Sequence, residues 1–252
     1  MPLDTEQERR YARHIVLPEI GRQGQEKLLA SSVLVIGAGG LGSAAIAYLA
    51  AAGIGHIGII EPDRVEMSNL QRQILFETAD IGRSKGQAAR DRVYEINPGC
   101  KVEIFEERIT GQNAGNFISR FDIVADGCDN FETRFAVSAA CMYAKKTLVS
   151  AAISGFSAQL SSFKPYFGDQ HPCYRCFVPQ MPEREISCAQ EGIAGPLAGI
   201  MGSMQALEII KELLGIGHSL SGSLIIMDAL NMDIRKVALP RDAACSFCLE
   251  SD

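Results

Sequence analysis

Short apolar runs alternate with stretches of helical periodicity along the first 152 residues of the chain. The runs are short and continuous, as is typical of strands buried in a parallel sheet, and they occupy 33–36, 56–60, 101–105, 121–125 and 148–152. Helices are predicted between them, at 43–52, at 84–95, after Thr110 and up to Lys145. This alternation predicts an α/β fold with a Rossmann-like, doubly wound, mainly parallel sheet.

The two ends of the chain depart from this alternation. Residues 4–15 and 24–30 are predicted to form a helical N-terminal arm, with Asp4 or Thr5 as the first cap. Near the other end, strands are predicted at 157–163, 223–228 and 233–237, and one long helix is predicted at 197–214. Because these strands do not repeat the strand–helix alternation, we expect an antiparallel C-terminal extension of the sheet.

Composition narrows the class of protein. The chain has 252 residues, of which 47% are hydrophobic, enough for one substantial core. Its formal net charge of −6 offers no basic face for nucleic acid, so protein or small-molecule partners are favoured. The charged first ten residues do not resemble a signal peptide, and the apolar region 193–216 is interrupted by charges, Pro196 and glycines. We therefore expect a cytoplasmic protein with no membrane partner.

A glycine loop follows the first predicted strand. Its glycines would let backbone N–H groups approach phosphate at a helix N-terminus; they are Gly37, Gly39, Gly40 and Gly42. Glu61 ends the second strand roughly 20 residues further on, where an acidic side chain can accept hydrogen bonds from ribose hydroxyls. This pattern predicts a nucleotide site of a generic dinucleotide-binding type.

A polar run beyond Glu61 favours ATP over NAD. The run is Ser68, Asn69, Leu70, Gln71, Arg72 and Gln73, and Lys85 follows at a helix start. Cationic and amide donors suit charge development during attack on phosphorus, whereas hydride transfer needs an apolar nicotinamide pocket. An isolated pair of basic residues would more often be a solvated surface feature, but proximity to a phosphate loop favours the functional interpretation.

Asp129 and Asn130 follow the strand predicted at 121–125, so they are expected at the same edge of the sheet as the glycine loop. Asp129 is a candidate for holding Mg²⁺ on the nucleotide phosphates, because a hard cation takes carboxylate oxygen. The alternative is that Asp129 or Asn130 caps the next helix. The local sequence leaves both open.

The eight cysteines include two C-x-x-C pairs. Cys173, Cys176, Cys245 and Cys248 suit one tetrahedral Zn²⁺ in a closed, structural site, and a redox C-x-x-C is the weaker alternative. Cys100, Cys128 and Cys141 are interpreted as structural, with Cys128 placed to line the nucleotide pocket. Cys188 is a candidate acceptor thiol, although a lone cysteine is more often a small buried apolar residue.

Several motifs together resemble the MoeB/ThiF/HesA family, the bacterial relatives of ubiquitin-activating enzymes, over nearly the whole chain. They are Arg10-Tyr11-x-Arg13, the glycine loop, 68–73, Asp129-Asn130, both cysteine pairs and 202–208. The resemblance implies one adenylating domain over 1–252, with a helical arm at 1–30, a nucleotide-binding core at 31–152 and a carrier- and zinc-binding part at 153–252.

The resemblance also implies an activity. A homodimer would use ATP and Mg²⁺ to adenylate the C-terminal glycine of a ubiquitin-like sulfur carrier ending in Gly-Gly, releasing pyrophosphate. Glu61 would take the ribose, Lys85 would contact phosphate, Asp129 would organise Mg²⁺, and Arg13 would reach the site of the other subunit. The remaining implied nucleotide contacts are the loop glycines, Asp63, residues 68–73 and Asn130.

Within the family the position of Cys188 differs in its use: a thiol there is linked to the carrier in ThiF-like members and is dispensable in MoeB-like members. The chain stops just after Cys248 without a rhodanese-like extension, so we expect a separate sulfur donor, such as a cysteine desulfurase or rhodanese.

The competing hypotheses are an NAD-dependent oxidoreductase, a non-catalytic binding module and the tRNA-modifying branch of the family. The polar run with Lys85 argues against the first, and retention of Arg13, Arg72, Lys85 and Asp129 argues against the second. The acidic balance and paired cysteines argue against the third.

Overall fold

A computed structural model describes residues 2–182 and 192–249. The described strands are β1 (Ser32–Ile36), β2 (His56–Ile60), β3 (Lys101–Phe105), β4 (Ile123–Asp126), β5 (Thr147–Ser154), β6 (Ser157–Phe163), β7 (Ser223–Asp228) and β8 (Asp233–Ala238). The described α-helices are α1 (Thr5–Arg10), α2 (Ala12–Ile15), α3 (Gly21–Ala30), α4 (Gly40–Ala52), α5 (Lys85–Ile96), α6 (Ala114–Ile118), α7 (Phe131–Tyr143), α8 (Tyr174–Phe177), α9 (Gly195–Leu214) and α10 (Ser246–Leu249).

All eight strands form one sheet, in the order β3-β2-β1-β4-β5-β6-β7-β8. The first five strands of this order are parallel, and β6, β7 and β8 continue the sheet in antiparallel pairs. The predicted doubly wound sheet and its antiparallel extension are therefore confirmed. From β1 the chain adds strands toward β3 on one side of the sheet, and it then returns to add β4 and β5 on the other side of β1. At this change in strand order a crevice opens at the carboxyl ends of β1 and β4.

The predicted elements agree in type with the structure and differ from it at their boundaries, whereas the four-residue helices α8 and α10 were not predicted. The helix after the glycine loop begins at Gly40 rather than residue 43, because the glycines themselves enter the first turn. The fourth strand covers Ile123–Asp126 rather than 121–125, and Phe121 instead fills the apolar core just before it. The first helix is interrupted at Tyr11, whose ring is buried, and Asp4 caps it by accepting from the backbone N–H of Gln7.

Apolar side chains pack on both faces of the sheet. One cluster includes Ile46 and Leu49 of α4 with Met201 and Ile209 of α9, and another includes residues of α6 and α7 around Phe121. The helices α4 and α9 approach closely at Gly202, where an added Cβ would lie 2.3 Å from the carbonyl oxygen of Leu41. This packing fixes α4, and with it the glycine loop, against the sheet.

Among the described residues, no helix combines the length and apolar character that crossing a bilayer requires.

Candidate nucleotide-binding site

A cavity of about 1120 Å³ opens at the carboxyl ends of the central parallel strands. Ten of the predicted nucleotide-site residues line it: Gly37, Gly39, Gly40, Glu61, Asp63, Arg72, Gln73, Lys85, Asp129 and Asn130. Residues far apart in sequence meet here because parallel strands present their carboxyl ends at one edge of the sheet. The volume is slightly above the range of about 300–1,000 Å³ that is typical of small-molecule and cofactor pockets.

The glycine loop is shaped by two close backbone approaches. Gly37 has φ +88°, and its N–H donates to the carbonyl oxygen of Ile60 at 2.9 Å. Gly42 does not line the cavity; a Cβ there would lie 1.9 Å from the carbonyl oxygen of Gly37. Its role is thus to let the first turn of α4 pass under the loop. Gly39 and Gly40 consequently place the helix N-terminus at the cavity, where backbone N–H groups can bind anions.

Glu61 lines the cavity and also holds the glycine loop. Its side chain is only 4% exposed, and Oε2 accepts a hydrogen bond from the backbone N–H of Ala38 at 2.8 Å. Oε1 accepts from the backbone N–H of Asp63 at 3.0 Å. A carboxylate that accepts two backbone hydrogen bonds is fixed in place, so Glu61 joins the end of β2 to the loop.

Two basic side chains lie near one carboxylate on the β2 side of the cavity. Lys85 is 6% exposed, and its Nζ lies 3.4 Å from Oδ2 of Asp63. Arg108, which the sequence analysis missed, lies 3.9 Å from Oδ1 of Asp63 and lines the same cavity. Ser84 caps α5 by accepting from the N–H of Gln87 and so fixes the helix start that carries Lys85. The two cations are the groups on this side of the cavity that suit phosphate oxygen.

The polar run 68–73 divides into two groups. Arg72 and Gln73 line the cavity, and Nη1 of Arg72 donates to the carbonyl oxygen of Ser68 at 3.0 Å. The buried Oε1 of Gln73 has no hydrogen-bond partner among the described residues. The other predicted contacts, Ser68, Asn69, Leu70 and Gln71, are not among the lining residues.

Asn69 has a local structural contact instead. Its Oδ1 accepts from the backbone N–H of Glu66 at 3.1 Å, which closes the short 3₁₀ turn at Met67–Asn69. The turn precedes Arg72 and Gln73 and directs them toward the glycine loop.

Asn130, and not Asp129, is the residue that caps α7. Oδ1 of Asn130 accepts from the backbone N–H of Thr133 at 2.8 Å. Asp129 is an exposed carboxylate at the cavity, where its Oδ1 accepts from Nδ2 of Asn130 at 3.3 Å. Asn130 is therefore the helix cap, and the carboxylate of Asp129 is left facing the cavity. The carboxylate of Asp129 is the hard oxygen donor that Mg²⁺ prefers.

A buried ion pair under this turn was missed by the sequence analysis. Nη1 of Arg134 lies 2.9 Å from Oδ2 of Asp126, and Oγ of Ser150 donates to the same oxygen at 2.7 Å. An aspartate at the end of an apolar, buried strand requires a buried hydrogen-bond donor, so the sequence does indicate that Asp126 has a buried partner. The sequence alone did not indicate which arginine supplies it.

The cavity continues along the antiparallel strands, away from the basic residues. Its lining there is uncharged and includes Ile153, Ser154, Ser157 and Gln159, with Ile226 of β7 beyond them. No sequence motif marks this extension, because its positions are ordinary strand residues.

Cys128 also lines the cavity, as predicted. Burial raises the pKa of its thiol well above the ordinary value, and the neighbouring Asp126 carboxylate adds to the rise. The thiol is therefore protonated at neutral pH and is a poor nucleophile. Cys188 lies outside the described residues. Arg13 is exposed on α2 and is not among the residues that line the cavity of its own chain.

The four paired cysteines converge on one point. All their Sγ atoms lie within 4.8 Å of one another, with Cys173 3.7 Å from both Cys176 and Cys245, and Cys176 3.6 Å from Cys248. A tetrahedral zinc ion with Zn–S bonds of about 2.3 Å requires sulfur atoms about 3.8 Å apart. The cluster fits Zn²⁺ in both ligand type and spacing.

The family model that matches this chain is the ThiF family, over residues 11–247. A sulfur carrier protein adenylyltransferase of Thermus thermophilus is 43% identical over 243 residues, covering 95% of this chain and 90% of the relative. The sulfur carrier protein ThiS adenylyltransferase of Escherichia coli is 42% identical over 239 residues, covering 95% and 94%. The bovine adenylyltransferase and sulfurtransferase MOCS3 is 42% identical over 98% of this chain, which spans 54% of that relative.

Solved structures agree on the fold. Escherichia coli MccB with MccA-N7isoASN has a TM-score of 0.83 at 24% identity, covering 98% of this chain and 75% of that one. PaaA has a TM-score of 0.79 at 22% identity, covering 95% and 76%. The family model and the close relatives extend over almost the whole sequence: the chain belongs to the ThiF family.

Proposed function

We propose that this chain is an ATP-dependent adenylyltransferase that activates the C-terminal glycine of a ubiquitin-like sulfur carrier protein. The observation that carries the proposal is one cavity lined by the glycine loop, the cations Arg72 and Lys85, and the carboxylate of Asp129. The relatives named as adenylyltransferases of sulfur carriers support the same activity and substrate class. The products are the carrier acyl adenylate and pyrophosphate.

The chemistry needs positive charge more than it needs an acid or a base. An ionised carboxylate oxygen of the carrier attacks the α-phosphorus of ATP, a new O–P bond forms, and the bond to the pyrophosphate oxygen breaks with its electron pair. Negative charge accumulates on the phosphate oxygens, where Arg72, Lys85 and the N–H groups at the start of α4 can stabilise it. No proton has to be removed from the attacking carboxylate.

The uncharged extension of the cavity is the proposed path of the carrier tail. The side chains of Ser157 and Gln159 can hydrogen-bond the extended backbone of the tail, and Ile153 and Ile226 form an apolar part of the cavity wall. A Gly-Gly terminus has no side chains, so it can lie in such a groove and bring its carboxylate to the phosphates.

Mg²⁺ is the proposed metal at the nucleotide site, held by Asp129, with Asn130 oriented beside it. When bound, Mg²⁺ neutralises charge on the ATP phosphates and aids departure of pyrophosphate. Zn²⁺ is the proposed occupant of the four-cysteine cluster, where four thiolates leave no open position, so its role is structural. A reducing cytosol, the proposed location, would keep these thiols available for metal.

The proposed assembly is a homodimer in which Arg13 completes the site of the other subunit. Exposure of Arg13 away from its own cavity supports this arrangement. The sulfur donor is proposed to be a separate protein. A covalent link between Cys188 and the carrier is also proposed: the thiolate would displace AMP from the acyl adenylate and form a thioester, and Cys188→Ala should form no such conjugate.

The deciding experiment is ATP–pyrophosphate exchange with the purified chain, Mg²⁺ and candidate carriers, each tested intact and without its terminal glycine. Exchange is expected only with an intact carrier. Asp129→Ala should lower the exchange rate by at least about 100-fold, because it removes an electrostatic group that acts on the reacting phosphates. Asp91→Ala is the matched control, because Asp91 is a half-buried carboxylate on α5 that pairs with Arg83 and lies outside the cavity. Silence with every carrier, or exchange that ignores the terminal glycine, would contradict the proposed activity.

A further inference from the structure

Arg134 is a buried arginine one turn into α7 that lines the cavity but has no role in the proposed reaction. Its side chain is 8% exposed and forms an ion pair with Asp126, whose side chain is 1% exposed. Nη1 also donates to Oγ of Ser150 at 3.0 Å. Burying two charges is costly unless both are paired and hydrogen-bonded, and this pair meets that condition.

The ion pair fixes the residue immediately before Asp129. Nη2 of Arg134 donates to the carbonyl oxygen of Cys128, and Oδ1 of Asp126 accepts from the backbone N–H of Cys128 at 2.9 Å. Both polar groups of this residue's backbone are therefore held by the two partners of one buried pair. The direction in which the chain enters Asp129 follows from them.

Arg134 also contacts the next strand of the cavity wall. Nη2 donates to the carbonyl oxygen of Ala151 at 2.8 Å, and Ala152 lines the cavity. The guanidinium thus joins the turn after β4 to β5. A single planar group with five N–H donors can do this, whereas a lysine ammonium with three donors cannot span the same set.

On its other side, α7 near Arg134 contacts Tyr174 and Arg175, which lie between two cysteines of the four-cysteine cluster. The Tyr174 ring packs edge-on against Phe135, at 5.6 Å between ring centroids. Burial raises the pKa of Tyr174 to about 12, and the nearby charge of Arg134 opposes part of that rise. The neighbouring Arg175 guanidinium lies between Phe135 and Phe247, 4.8 and 4.9 Å from the two ring centroids. Side chains from the cysteine cluster therefore pack on the same turn of α7.

We propose that Arg134 is a positioning residue that, braced by Tyr174, aims Asp129 at the metal of the bound nucleotide. The inference rests on the nucleotide and Mg²⁺ sites of the proposed function. It assigns Arg134 no contact with substrate; it acts through the backbone of Cys128. The four-cysteine cluster then supports the nucleotide site as well as the chain end.

The test is calorimetric binding of a non-hydrolysable ATP analogue, with and without Mg²⁺, to four full-length variants. Arg134→Met should retain binding without Mg²⁺ within about twofold but lose about 10- to 100-fold of the affinity gained from Mg²⁺, the usual effect of removing a group that orients a metal ligand. Arg134→Lys, which keeps the charge beside Asp126, should recover part of that loss. Tyr174→Phe should give a smaller loss of the same kind and keeps the buried ring. Arg120→Met is the matched control: Arg120 also has an ion pair and aromatic contacts but does not line the cavity.

A purely structural ion pair would give a different pattern. If folded Arg134→Met and Tyr174→Phe both keep the full Mg²⁺ effect, or lose affinity equally with and without Mg²⁺, the positioning role is overturned. Should Arg134→Met fail to fold, Tyr174→Phe and Arg134→Lys decide between these outcomes. Because the assay contains no carrier, normal Mg²⁺-dependent binding by a wild-type chain that lacks exchange activity would refute the proposed substrate and leave this inference standing. A wild-type chain that does not bind the analogue would overturn both.

Discussion

Gly199 and Gly202 lie on the same helix, α9, three residues apart, but they have different surroundings. A Cβ at Gly202 would lie 2.3 Å from the carbonyl oxygen of Leu41 and 3.0 Å from the Ala44 side chain, whereas a Cβ at Gly199 would meet no atom of the described residues within 4 Å. Only Gly202 is required by packing. Both glycines are otherwise unfavourable in a helix interior, because glycine loses more backbone entropy on folding than alanine does.

Substitution of the two glycines should therefore have opposite effects. Gly202→Ala forces α9 away from α4 and should lower the free energy of unfolding by about 1–3 kcal/mol. Gly199→Ala should raise it by roughly 0.5–1 kcal/mol. Urea unfolding at one fixed protein concentration measures both. Equal stability of the two variants would contradict the close helix contact on which the position of the glycine loop depends.

Single residues were predictable where chemistry and spacing suffice. Glu61 was placed at the cavity by its distance from the glycine loop, but its hydrogen bond to Ala38 depends on the path that Gly37 and Gly42 allow, which spacing does not encode. The sequence left Asp129 and Asn130 as alternative caps, and only the direction of the chain into α7 separates them. Arg134 was missed because many arginines could have paired with Asp126.

At the scale of elements, α8 and α10 are too short to be stable by themselves. Each has four residues, and each follows a cysteine in the same local geometry: the N–H of Cys176 donates to the carbonyl of Cys173, and that of Cys248 to Cys245, both at 3.1 Å. Isolated helices of this length do not form in water. The four sulfur atoms are the group that both elements share, so a bound metal can hold the two turns together.

Removal of one sulfur should release the metal and loosen both elements. Cys176→Ser is expected to lose bound zinc and at least about 2 kcal/mol of stability, which for a chain of this size lowers Tm by roughly 4–8 °C. Cys100→Ala, a buried cysteine outside the cluster, should keep its zinc. Elemental analysis and thermal unfolding, each before and after a chelator, provide the measurements. A wild-type chain without metal, or a chelator that leaves Tm unchanged, would contradict the structural role.

Elements with clear periodicity were predictable, and those without it were not. β2, β3, β6 and β7 begin and end where the apolar pattern places them. α8 and α10 were not predicted, because four residues cannot display a helical period. The fourth strand was placed two residues early, since Phe121 continues the apolar pattern although it packs in the core before the strand begins.

At the scale of the whole molecule, the alternation of strands and helices in the sequence predicts the doubly wound sheet, but it does not predict how subunits are arranged. The sheet places every strand end needed for the cavity within one chain, whereas Arg13 remains exposed on α2. Just beyond α2, the large apolar side chains Val16 and Leu17 are also exposed, 70% and 45% respectively. A surface that carries a cation and unburied apolar groups is suited to contact with a second subunit, and a two-fold axis would supply Arg13 to both sites.

Mixing two inactive variants tests this arrangement. In the proposed homodimer, Arg13→Ala removes the arginine that a subunit supplies to its partner's site, and Asp129→Ala removes the carboxylate from the subunit's own site, so either variant alone would have two defective sites. A heterodimer has one site with both defects and one with neither. Random mixing should therefore restore roughly a quarter of the wild-type exchange rate per subunit, since half of the dimers carry one intact site out of two. Heterodimers isolated by two different affinity tags should show half. Isolated heterodimers without recovery would place Arg13 in its own subunit's site or in neither, because a residue that acts within one chain cannot be supplied by the other.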